Sequence, residues 1–142
     1  MKTKYFALCV GFFATSHVMA DSSQEQIKVM NYCNSLSVPL LTAATHYVSL
    51  KANALPDDVA KKESTALVLD SEPYKLASSG IKSAMSQNLT EILNANNLAV
   101  HQKEMMNQGE NYLGLHGYSW AVKKVGVFTA WCNYNHLQAE KK

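Results

Sequence analysis

Between residues 29 and 50 the apolar side chains recur at steps of four and three, as Val29, Cys33, Leu36, Leu40, Ala43, Tyr47 and Leu50. That rhythm places them on one stripe of an α-helix, so Cys33 faces a core. Upstream, Ser22-Ser23-Gln24-Glu25 has the Ser-x-x-Glu spacing of a capping box and predicts that the first helix begins there. Pro39 interrupts the stripe. It lacks an N–H and its ring crowds the preceding turn, which predicts a kink or a restart with Ser35 or Ser37 as the new cap.

Leu55-Pro56-Asp57-Asp58 joins a helix-starting proline to two acids that suit the positive end of the macrodipole, predicting a helix from about 56 to 69. Asp70-Ser71-Glu72-Pro73 repeats the start signal. Beyond it Tyr74, Ala77, Ile81, Met85, Leu89, Ile92 and Ala99 keep a helical rhythm, predicting one long helix with a break near Asn96. Gly109 to Tyr118 mixes three glycines with aromatics and reads as a connection or a poorly formed helix. Ser119 to Gln138 predicts a last helix with Ala121, Val125, Phe128 and Cys132 on one face. Its valines and aromatics leave a short C-terminal strand or hairpin as the alternative. The expected architecture is all-α, a single domain of four or five helices.

Composition changes where that domain begins. Met1–Lys4 carries two lysines, Tyr5–Ala14 is apolar, and Val18-Met19-Ala20 ends in a small residue. This is the plan of a cleavable signal peptide over 1–20, leaving a mature domain over 21–142. The expected location is the bacterial periplasm. Without Lys2 and Lys4 the remaining chain is formally neutral, so the net charge of +2 belongs to the leader. No later apolar run approaches the ~18–20 residues of a membrane span, so no stable membrane insertion is expected.

The export reading fixes the cysteine count. Cys9 leaves with the leader, and Cys33 and Cys132 remain. In an oxidising compartment they most simply form one disulfide joining the first and last helices. Closing a loop of about 100 residues stabilises by roughly 4–5 kcal/mol in the chain-entropy model.

Candidate chemistry is sparse. Gly117-Tyr118-Ser119-Trp120-Ala121 approaches a nucleophile elbow, but that device needs its acid and then its histidine downstream, whereas His136 precedes Glu140. His46, His101, His116 and His136 are scattered, with no metal-ligand spacing, so no metal site and no cofactor is expected. Asp57-Asp58 reads as a helix start rather than an acid–base pair. All 13 basic residues are lysine. Without arginine there is no bidentate donor for phosphate or guanine, and nucleic-acid binding is not expected. Asn88-Leu89-Thr90 fits a glycosylation sequon, relevant only in a eukaryotic secretory route.

One cluster has the composition of a recognition surface: Tyr112, His116, Tyr118 and Trp120, set among glycines. Tyrosine and tryptophan give large rigid contact area at small entropic cost. The alternative is that Tyr112 and Trp120 plug the core beneath a loop.

The leader, a cysteine on the first helix and the Trp131-Cys132 pair near the end resemble the layout of small periplasmic helical proteins. Immunity proteins that neutralise type VI secretion effectors are among them. The resemblance implies a non-enzymatic periplasmic binding protein that blocks a toxic secreted enzyme by occluding its active site. A periplasmic chaperone or envelope-assembly factor holding unfolded clients is the alternative, and a homodimer is compatible with either.

Overall fold

A computed structural model describes the backbone of residues 11–109 and 113–139, and the side chains of 23–109 and 118–137. These residues form six helices and no strand: α1 (Gly11–Ala52), α2 (Asp57–Leu69), α3 (Glu72–Leu76), α4 (Ser79–Ile92), α5 (Ala95–Asn107) and α6 (Leu113–Ala139). The C-terminal strand alternative is overturned, since residues 119–138 lie within α6. Their β-branched residues sit on a helix whose Ala121, Val125, Phe128 and Cys132 are buried together, and burial of that stripe outweighs local propensity.

Long α1 is the spine. It packs most extensively against α6 and next against α2, while α4 and α5 complete the bundle against α6. The predicted stripe is its inner face: Val29, Cys33, Leu36, Leu40, Ala43 and Tyr47 are buried, and Leu50 packs against the core. The disulfide between Cys33 and Cys132, 99 residues apart, joins α1 to α6. Tyr32 meets His136 edge-on at 5.1 Å and Ser37 meets Thr129 hydroxyl to hydroxyl at 2.7 Å. Partners that climb on one helix descend on the other, so α1 and α6 run antiparallel.

Two expected boundaries within α1 are corrected. The Ser22–Glu25 box starts nothing, because α1 already runs through it. Short polar residues in a helix interior cost only tenths of a kcal/mol each, up to about 0.7, and no proline precedes them to end the turn. Pro39 neither ends nor restarts α1. It is buried among the packed residues of the inner face, and the Ser37 hydroxyl, rather than capping a new helix, donates to the Cys33 carbonyl at 2.8 Å. Packing on both sides and the staple one and a half turns earlier hold the helix across a residue that costs about 3 kcal/mol in isolation.

The long helix expected over 74–99 is three helices. Ser71 caps α3 by accepting from the Tyr74 N–H, Ser78 caps α4 by accepting from Ile81, and Asn94 caps α5 by accepting from Asn97 at 3.1 Å. Each cap satisfies an orphan donor, so the chain gains a bond by breaking the helix there. The break comes at Leu93–Asn94, ahead of Asn96. Gly114 and Gly117 lie inside α6, and the connection expected over 109–118 is reduced to Gly109 (φ 85°) and residues outside the described set.

The corner between α1 and α2 is tight. Ala54 takes a left-handed φ of 59°, and the Leu55 N–H reaches back to the Leu50 carbonyl at 3.1 Å, closing the end of α1. Asp57 then opens α2 as expected, in an ionic clasp. The Tyr47 hydroxyl donates to its Oδ1 at 2.6 Å, Lys61 lies 2.8 Å from Oδ2, and Lys51 lies 3.5 Å from Oδ1. Lys61 first, then the Tyr47 hydroxyl, lower the Asp57 carboxyl from 3.8 to about 2. Burial, reinforced by Asp57, pushes the Tyr47 phenol up.

Candidate protein-docking face

The aromatic cluster expected at the end of the chain is divided by the fold. Trp120 is in the core, only 2% exposed, because its position on α6 points inward beside Ala121. Its Nε1 donates to the Ile92 carbonyl at 3.2 Å, His101 lies 5.6 Å from its ring, and Lys124 Nζ sits 4.9 Å from its centroid. It closes the end of α4 against α6, as a core plug does, and offers no surface. Tyr118 is 60% exposed. Tyr112 and the His116 side chain lie outside the described residues.

What α6 does present to the outside is a different set. Its buried stripe of Ala121, Val125, Phe128 and Cys132 turns Val127, Trp131 and Tyr134 outward, 67%, 41% and 65% exposed. On the α4 side Val127 and Trp131 border a groove of about 480 Å³ floored by Phe128 and walled by Gly80, Ser83 and Ala84. Small residues on α4 leave the room, and Trp131, its ring 6.0 Å from Phe128, forms the opposite lip. On the α1 side a shallower groove of about 320 Å³ runs between Val38 and Leu41 of α1 and Val122, Gly126 and Thr129 of α6. An apolar ridge with a groove on each flank is a surface on which a partner's side chains can seat.

Two polar contacts cross the α4 flank. The Asn88 side chain donates through Nδ2 to the Lys124 carbonyl at 3.0 Å, so the amide nitrogen of the Asn88-Leu89-Thr90 sequon is tied down across the α4–α6 seam. Lys124 pairs with Glu91 at 3.4 Å on the rim. Among the residues that line the groove, Glu91 alone is charged.

Other candidates resolve into structural roles. His46, half-exposed, faces Glu63 of α2 at 3.7 Å. Ser119 lies on α6, without the strand and sharp turn a nucleophile elbow requires. Among the described residues no three His, Cys, Asp or Glu side chains come together as a metal site, and no helix is long and apolar enough to cross a membrane.

Val127 and Trp131 lie outside the glycine-rich aromatic cluster that composition singles out. The signal was present in the spacing, since a core stripe at 121, 125, 128 and 132 leaves 127, 131 and 134 off it. Comparison with protein-family models, curated proteins and solved structures gave no match.

Proposed function

We propose that the chain is an exported binding protein that docks a protein partner on the α4 flank of α6, and that the partner is a toxic secreted enzyme which it blocks. The observation that carries this reading is Trp131, partly exposed beside Val127 over a groove lined by small residues. Tryptophan in a pocketed, mostly uncharged setting is a typical anchor of protein interfaces. The disulfide between α1 and α6 keeps that face rigid, which lowers the ordering cost of binding. The layout resemblance to periplasmic immunity proteins supplies the partner class, and the leader supplies the compartment. The open, apolar character of the groove favours a second reading, a chaperone holding unfolded clients.

The test uses the mature, oxidised protein and an exported enzyme encoded beside its gene. Binding and inhibition of that enzyme are expected, and Trp131→Ala is expected to weaken binding by at least ~2 kcal/mol, as hot-spot truncations do. Circular dichroism should stay helical. Equal affinity of Trp131→Ala and Val127→Asp would remove the proposed site. Suppression of aggregation of unrelated unfolded proteins, without inhibition of the enzyme, would establish the chaperone instead.

A further inference from the structure

We propose that the outer face of the α1–α6 pair, on the opposite flank of α6, is where two copies of this chain associate. Charge is the first observation. Lys28 and Lys51 bracket a stretch of α1, residues 29–50, that contains none of the chain's 13 lysines and 11 acids, and residues 125–139 of α6 contain none either. Elsewhere the helices are ordinarily charged. Depletion of charge on an exposed surface is what distinguishes interface cores from the rest of a protein exterior. Here the exposed residues are Val38, 61% accessible, and Val122, 45% accessible, at the borders of the shallow groove.

Gly126 is the second observation. It lies on the exposed side of α6, and a Cβ added there would meet nothing within 4 Å. Packing within the chain therefore gives no reason for a glycine at a helical position where it costs about 1 kcal/mol relative to alanine. Close approach of a second body does, because the missing side chain admits another helix to the backbone. Ala130, also exposed, extends that low floor by one turn.

Size and complementarity select the occupant. Twenty-two residues of α1 rise about 33 Å, and two helices are about 20 Å wide, so the face offers on the order of 600 Å² per protomer. A pair of copies would bury about 1,200 Å², within the range of specific interfaces. In a two-fold arrangement the same patch meets itself, so any charge would face its own kind. The groove lining has none, Lys123 and Lys124 following Val122 outside it, and the valine borders and glycine floor supply projection and recess on one surface.

The experiment is sedimentation equilibrium of the mature, oxidised protein. A mass twice that of the monomer is expected at about 0.1 mM, within the range of specific affinities. Val38→Lys should sediment as a monomer with unchanged helical signal, and Leu76→Lys, on exposed α3, should remain a dimer. Gly126→Ala separates interface from fold, since it should raise the thermal midpoint of the monomer while weakening the dimer at least several-fold. A monomer at that concentration, or a dimer that survives Val38→Lys combined with Val122→Lys, overturns the proposal. A monomer in which Val38→Lys abolishes capture of the secreted enzyme also overturns it and assigns the face to that partner. Loss of capture in Trp131→Ala alone bears only on the α4 flank.

Discussion

On its α1 side, α6 is held by a disulfide, a hydroxyl pair and an edge-on ring contact. On its α4 side it is held by single hydrogen bonds to main-chain carbonyls, one from Asn88 and one from Trp120, and by the exposed Lys124–Glu91 pair. The first seam contains no ionic residue over most of its length, and the second has its charges at the rim. Covalent closure permits one seam to be short of polar locks, whereas the other needs buried donors to fix the register of α4. The looser seam is also the one that keeps an open groove beside Trp131. Each flank of α6 keeps a groove, and the larger of the two lies on the side without the covalent bond.

Breaking the covalent seam should produce the largest effect. Replacing Cys33 and Cys132 by alanine is expected to lower unfolding free energy in urea by about 4 kcal/mol, as cross-links closing about 100 residues do. A loss under about 1 kcal/mol would mean that the antiparallel contacts suffice without sulfur. Trp120→Ala tests the α4 seam. Truncating a buried tryptophan should cost about 3–4 kcal/mol, and the Ile92 carbonyl would lose its donor as well. If the two lesions act on separate seams, their costs should add in the triple variant.

The smallest effect sharpens the comparison by isolating the ionic part of the fold. Asp57→Asn is expected to cost about 1 kcal/mol at neutral pH, a value already reduced for its partial exposure to solvent. Because the folded carboxyl titrates at about 2 and the free one at 3.8, its contribution is complete above about pH 5 and disappears as pH falls toward 2. Thermal midpoints measured from pH 6 to pH 2 should therefore fall less steeply in Asp57→Asn than in the parent. An equal slope would place the acid-sensitive group elsewhere than the α1–α2 corner.

Much of this fold was legible because burial is periodic. The stripe from Val29 to Tyr47 and the one from Ala121 to Cys132 gave both long helices and placed Cys33 and Cys132 on their inner faces, where the disulfide joins them. Helix ends were less legible, because they depend on which of several capping residues finds a donor. Ser78 and Asn94 do so, whereas the equally plausible Ser22–Glu25 box lies inside a helix. Pro39 shows the same limit, as its local cost is visible in the sequence and the packing that overrides it is not. In the site, composition singled out Trp120 and Tyr118, yet spacing does not decide which of two aromatics eleven residues apart faces the core. Trp120 and Trp131 differ by about 1,100° around the axis at 100° per residue, which is three turns and a little more, so small offsets in packing separate inside from half-outside.

The order in which the two sulfurs are made also matters. A chain made from its N-terminus at about 5–20 residues per second presents the Cys33 thiol some 5–20 s before Cys132 exists. During that interval the only other thiol on the same molecule is Cys9. Under the proposed export route, cleavage after residue 20 would therefore do more than release the protein, because it would erase the sole wrong choice and leave mispairing to encounters between molecules.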